Sequence, residues 1–132
     1  IKNRDFWMPF AASTTQTHSK KYFKFDNKTD LNTYPYMTKC LDTNKTGKLK
    51  LSAAIHPYDN TCRPQILLKN QNPEFEDLIC NFGKLTNTYA LLNTSFNLHG
   101  KPIVNSAVDA IKLFLKTDLD GIILGSYIIF KK

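Results

Sequence analysis

The sequence predicts an α+β fold, with a mixed, largely antiparallel sheet and two main helices packed on it. Three observations carry that prediction. Two segments, opening at Pro73 and near Ser106, repeat apolar residues at helical spacing; several short runs between Tyr36 and Phe130 are rich in strand-compatible residues; and 42% of the 132 residues are hydrophobic. A chain of this size and composition builds one ordinary core without metal or disulfide staples.

The elements follow in order. Residues 36–41 and 48–56 read as strands, and DTNKTG at 42–47 has turn composition, which predicts a hairpin. A third strand over 62–68, set off by the tight-turn segment PYDN at 57–60, completes an antiparallel meander. Asn72 before Pro73 is an N-cap followed by proline at the first helical position, and Glu74, Glu76 and Asp77 put negative charge at the positive end of the helix dipole. The predicted helix runs to about Leu85, with Phe75, Leu78, Ile79 and Phe82 as its core stripe. A short strand covers 89–92. Ser106 and Asp109 resemble a capping box opening a second helix, in which Ala107, Ala110, Ile111, Phe114 and Leu115 share a face. Residues 121–124 and 127–130 read as buried strands around a turn or bulge at Gly125-Ser126.

Composition narrows the function classes. Cys40, Cys62 and Cys80 are odd in number and widely separated, which argues against a disulfide framework or zinc ribbon and for a reducing compartment. No apolar run approaches the roughly 18 residues of a membrane span, and the first residues lack the apolar stretch of a signal peptide, so the expected location is cytoplasmic, without membrane association. The Asn-X-Ser/Thr triplets at Asn27, Asn44 and Asn93 carry no weight without a secretory signal. Net charge is +7, which suits phosphate-bearing partners. The lysines are spread along the whole chain, and pairs such as Lys20-Lys21 and Lys131-Lys132 read as solvated surface, so nucleic acid is not the favoured partner. No repeat or composition shift divides the chain, which reads as a single domain over 1–132. The dense opening cluster of Lys2, Arg4, Asp5, Phe6 and Trp7 is unusual for an N-terminus and suggests a cut inside a longer protein.

Two polar clusters are candidates for chemistry. In NTSFN, residues 93–97, two amides and two hydroxyls follow a strand within five positions, and Gly100 permits close backbone approach. Anion binding and ordinary Asx or Ser/Thr turn formation explain this segment equally well. In HPYDNTCRPQ, residues 56–65, Thr61, Arg63 and Gln65 alternate and should share one strand face, where Arg63 can grip phosphate or carboxylate oxygens or simply form a surface ion pair. His56, Asp59 and Gln65 suit a turn. No nucleophile elbow, HExxH, Walker loop or GxGxxG occurs, and His18, His56 and His99 lack metal-ligand spacing, so no metal site is expected.

Taken in order, KNRDFWMPFA, HPYDNTCRPQ, NPEFEDLICNFGKLT, LLNTSFNLHGKPIV and DAIKLFLKTDLDGIILGSY resemble the C-terminal domain of the NodU/CmcH carbamoyltransferases, over nearly the whole chain. The resemblance implies a YrdC/Sua5-like fold whose concave basic cavity converts carbamoyl phosphate and ATP into carbamoyl adenylate. It further implies transfer to a hydroxyl of a small molecule by an N-terminal Kae1-like domain, which would carry the metal and acceptor sites and is absent here. Carried over by position, Lys2 matches the lysine of the family's KxRxxxRPFAP block, Arg63 the arginine of HxDGTxRxQ, and Asn93, Ser95 and Asn97 the family's LNTSFN. Lys2 and Arg63 would neutralise phosphate charge, and Asn93 and Ser95 would hydrogen-bond phosphate or carbamoyl oxygens. Arg4, Thr61, His56 and Asp59 are second-line candidates. Met8, Ala12, Asn60 and His99-Gly100-Lys101 depart from the family's arginine, proline, turn glycine and RGE. The FGPRALGNRS block expected before residue 1 is missing, so the isolated chain is expected to bind weakly and to be catalytically incompetent. The alternative reading is a non-enzymatic nucleotide- or RNA-binding module of the same fold.

Overall fold

The computed structural model describes Lys2, Arg4, Asp5 and residues 7–131. Phe6 of the opening cluster, Asn3 of the first block and Lys132 of the closing lysine pair lie outside the described residues. The fold is α+β, and the chain divides into two compact units, Phe6–Thr94 and Ile1–Asp5 with Ser95–Lys132.

In the larger unit, β1 (Ala11–Thr15) is the centre of a mixed sheet. It runs parallel to β4 (Gln65–Leu67), with Ser13 opposite Gln65, and antiparallel to β5 (Ala90–Asn93), with Ala11 opposite Asn93. Sequence reading assigned no element to residues 11–15. All five are buried although three are Ser or Thr. They are tolerated because each hydroxyl is bonded: Ser13 Oγ donates to Gln65 Oε1 at 2.7 Å, Thr14 Oγ1 to Tyr89 O at 2.7 Å, and Thr15 Oγ1 lies 2.8 Å from His18 Nδ1. The one-turn helix α1 (Gln16–Ser19) follows.

The predicted hairpin over 36–56 is not formed. Only β2 (Leu41–Asp42) is extended there, and α2 (Lys45–Lys50) occupies the expected turn and the start of the expected second strand. Asn44 Oδ1 accepts from Gly47 N at 2.9 Å and so caps this helix, while a Cβ on buried Gly47 would collide with the Tyr22 carbonyl oxygen. Residues 52–54 form a 3-10 turn, and Ile55 makes only an isolated bridge to Cys62. The strand expected over 62–68 is split by Pro64, which has no N–H for a ladder, into β3 (Thr61–Cys62), paired with β2, and β4. The expected turn at 57–60 is present: Asn60 N donates to His56 O, and Asn60 takes φ +59. Asparagine tolerates that left-handed conformation, which accommodates the departure from glycine at this position.

Helix α3 (Pro73–Thr86) has the predicted cap, Asn72 Oδ1 accepting from Phe75 N at 3.1 Å, and it packs on β1 and β5. Its inward stripe is narrower than predicted. Ile79 and Gly83 are buried, whereas Leu78 is 50% and Phe82 38% exposed. Buried Tyr22, Phe23, Cys62, Ile66 and Ala90 contribute to the core of this unit.

In the smaller unit, Ser106 caps α4 (Ala107–Lys116), accepting from Asp109 N at 3.1 Å. The hydroxyl also donates to Asp109 Oδ2 at 2.7 Å. Ala110 and Phe114 bury against Ile122, while Ala107, Ile111 and Leu115 of the predicted face are exposed. β6 (Gly121–Leu124) and β7 (Tyr127–Phe130) form an antiparallel hairpin around Gly125-Ser126, with Gly125 at φ +56. Burial does not follow the prediction here, since all four residues of β7 are exposed. Among the described residues no helix is long and apolar enough to cross a membrane.

Candidate functional site

In the smaller unit the structure brings together three of the predicted residues, with Lys2 more than 90 positions in sequence from the other two. Lys2 Nζ donates to Asn97 Oδ1 at 2.6 Å and to Ser95 Oγ at 3.3 Å, and Ser95 Oγ donates to Asn97 Oδ1 at 2.7 Å. The amide of Asn97 is oriented by its other end, where Nδ2 donates to the Lys101 carbonyl at 2.7 Å. A carbonyl cannot donate, so Oδ1 must face the ammonium. The turn that brings Lys101 back contains Gly100 at φ +73 and closes with Lys101 N donating to Leu98 O. Partial burial, and then the nearby Arg4 charge, lower the Lys2 pKa from its ordinary value. An ammonium bears three N–H groups, and among the described residues two are used here, which leaves capacity for a ligand. The cluster is thus a partly desolvated cation flanked by a hydroxyl, suited to an anionic oxygen. His99 and Lys101 are exposed on the same loop.

In the larger unit, Asn93 sits at the end of β5 on the same sheet face as Ser13 and Gln65. Its Nδ2 donates to Ser13 Oγ and to Gln65 Oε1, both at 2.9 Å, and lies 3.7 Å from Met37 Sδ. Gln65 Nε2 in turn donates to Pro35 O at 3.2 Å. Met37 takes φ +56, a left-handed conformation uncommon for a long side chain. Sequence reading placed Gln65 in a turn cluster and missed Ser13. The available signal was the uncharged stretch over residues 8–17 in a chain with 22% charged residues.

Arg63 is exposed and makes no hydrogen bond or ion pair among the described residues. It does not share a strand face with Thr61 and Gln65, because β3 ends before it and β4 begins after Pro64. Thr61 and Asp59 satisfy one another, whereas the buried His56 Nδ1 has no hydrogen-bond partner among the described residues. Asp59 Oδ1 accepts from Thr61 N at 2.9 Å and Thr61 Oγ1 at 2.8 Å, bonds that hold its carboxyl below the usual range. His56 Nδ1 lies 3.4 Å from the same oxygen without hydrogen-bond geometry. These three residues build the turn.

Two other features of the larger unit offer no chemistry of this kind. Burial pushes the Cys62 thiol up to about 11, which leaves it protonated and unreactive at neutral pH. A cleft of about 460 Å³ in the larger unit is lined by Lys24, Lys28 and Lys39 but equally by Asp26, Asp30 and Asp42, so it offers an anion no net positive charge.

Comparison with known proteins places these residues in a family. Residues 1–131 match the model of the carbamoyltransferase C-terminus. The chain is 36% identical over 133 residues to the nodulation protein NolNO of Sinorhizobium fredii, and 36% identical over 132 residues to the nodulation protein NolO of Bradyrhizobium diazoefficiens. An uncharacterized protein of Methanocaldococcus jannaschii is 36% identical over 128 residues. All of the chain is covered in the first two matches and 97% in the third, but it spans only 19%, 24% and 24% of these relatives. The chain belongs to the carbamoyltransferase C-terminus family.

Proposed function

We propose that the chain is the C-terminal domain of an ATP-dependent O-carbamoyltransferase, in which it binds carbamoyl phosphate and ATP and, with water, forms carbamoyl adenylate for transfer to a hydroxyl acceptor, releasing inorganic phosphate and pyrophosphate. Family membership supports the reaction class. The observation that carries the ligand assignment is the convergence of Lys2 on Ser95 and Asn97 across the length of the chain. A lysine half withdrawn from water, with its ammonium aimed by an amide whose orientation is fixed, is preorganised to neutralise phosphate oxygens without reorganising during reaction. Exposed Arg63, in the larger unit, is a candidate cation in its own right, its planar fork suited to phosphate. Acceptor recognition, and any metal, belong in this reading to an N-terminal Kae1-like domain of the longer polypeptide, and a need for ATP places the enzyme in the cytoplasm.

The test uses the full-length polypeptide. Lys2→Met is expected to reduce carbamoyl-phosphate-dependent release of pyrophosphate from ATP by about 10²-fold, the scale seen when one preorganised charge-stabilising donor is removed, with the thermal melt unchanged. Wild-type turnover in Lys2→Met overturns the assignment.

A further inference from the structure

We infer that Asn93 is a specificity residue presenting its carbonyl oxygen, and that the group it recognises is the –NH2 of the carbamoyl moiety. The inference rests on the reading that this chain binds carbamoyl phosphate. It changes the role expected of Asn93, that of a donor to phosphate or carbamoyl oxygens.

The orientation follows from a relay of hydrogen bonds with no free choice in it. The Pro35 carbonyl can only accept, so the end of Gln65 that lies 3.2 Å from it is the amide nitrogen. Gln65 Oε1 therefore points the other way, where it accepts from Ser13 Oγ at 2.7 Å and must meet a donor from Asn93 at 2.9 Å. Flipping the Asn93 amide would set oxygen against oxygen at that distance. The second N–H of Nδ2 is taken by Ser13 Oγ at 2.9 Å, whose own proton is already given to Gln65. Both hydrogens of Asn93 are thus spent inside the sheet face. Its Oδ1 receives no hydrogen bond from any described residue, and the half-buried side chain leaves that oxygen to be completed by a ligand.

An acceptor held in this way cannot bond an unprotonated phosphate oxygen, which is itself an acceptor. It selects a hydrogen-bond donor, and on the acyl group of carbamoyl phosphate the donor is the –NH2. Carbamoyl phosphate and acetyl phosphate differ at the acyl group only by –NH2 against –CH3, so this oxygen separates the two: the methyl group would cover it without bonding it. Ser13 and Gln65 are positioning residues in this arrangement, acting through Asn93.

The experiment measures, on the full-length enzyme, the KM for carbamoyl phosphate and the inhibition constants of acetyl phosphate and inorganic phosphate, with ATP and inosine triphosphate compared as co-substrates. Wild type is expected to hold carbamoyl phosphate at least about 10-fold tighter than acetyl phosphate. In Asn93→Ala that ratio should fall toward one while inhibition by inorganic phosphate is unchanged. Gln65→Leu, which keeps Asn93 but frees its amide to rotate, should give an intermediate ratio, and it serves as the test if Asn93→Ala does not fold. Equal weakening of all three phosphate ligands in either variant makes Asn93 a phosphate donor and overturns the inference while leaving the proposed function standing. Loss of preference for ATP over inosine triphosphate would put adenine on this oxygen and overturn the carbamoyl assignment. A wild-type enzyme with no response to carbamoyl phosphate removes the proposed function itself, and the inference with it.

Discussion

His18 follows β1 with its ring stacked on Tyr89, centroids 4.0 Å apart and planes 11° from parallel, and its Nδ1 is 2.8 Å from Thr15 Oγ1. The same hydroxyl accepts from His18 N at 3.3 Å, so its proton is best placed on a neutral imidazole. Burial first, and then Lys21, whose ammonium lies 4.2 Å from the Tyr89 ring centre, lower the His18 pKa; Glu76 opposes this in part. The folded state therefore takes up this proton at lower pH than the unfolded chain, which does so near the ordinary value of about 6.5. The contribution to stability is fully present above that value and is lost as pH falls through the folded pKa. Urea midpoints are expected to decline between pH 7.5 and pH 5. His18→Phe, which retains the stacked ring but not the titration, should flatten that segment of the profile. An unchanged slope in His18→Phe would place the titrating group elsewhere.

At the scale of elements, a clean division separates what sequence reveals from what it hides. The caps of α3 and α4 were legible because Asn72-Pro73 and Ser106 with Asp109 act within one turn of chain and need no distant partner. Residues 42–47 were misread for the converse reason. Asn, Thr and Gly serve turns and helix starts alike, and what selects α2 is the fit of side-chain-free Gly47 beneath the Tyr22 carbonyl, a contact invisible in the local pattern. Asn44 both caps α2 and donates to the Lys20 carbonyl at 3.3 Å. Six residues cannot sustain a helix by propensity alone, so the cap matters. Asn44→Ala is expected to cost about 1 kcal/mol, read as a fall in the urea midpoint at constant slope. β1 was hidden for a related reason: buried serine and threonine become acceptable only once Gln65, Tyr89 and His18 arrive to bond them.

For the whole molecule, residue types at the site were visible but their company was not. NTSFN stood at parity between anion loop and turn on its own chemistry, and only the family resemblance coupled it to Lys2, because pairings across more than 90 positions leave no periodic trace. The structure then distributes those residues over two units, Lys2, Ser95 and Asn97 in one and Arg63 and Asn93 in the other. The units differ in their means of stability. Phe6–Thr94 contains the three-stranded sheet, α3 and a core that includes Tyr22, Phe23, Ile66 and Ala90. The segment Ser95–Lys132 relies on Ala110, Phe114 and Ile122, and it exposes Tyr127, Ile128 and Phe130. A two-stranded hairpin with one helix, in a segment below about 40 residues, rarely buries enough surface to offset its conformational entropy. Expressed alone, Phe6–Thr94 is expected to unfold cooperatively in urea and give dispersed amide resonances, and Ser95–Lys132 to show neither. Cooperative unfolding of Ser95–Lys132 by itself would mean that the small core, with the Lys131 ammonium bonded to the Thr117 carbonyl beside Phe114, suffices for that unit.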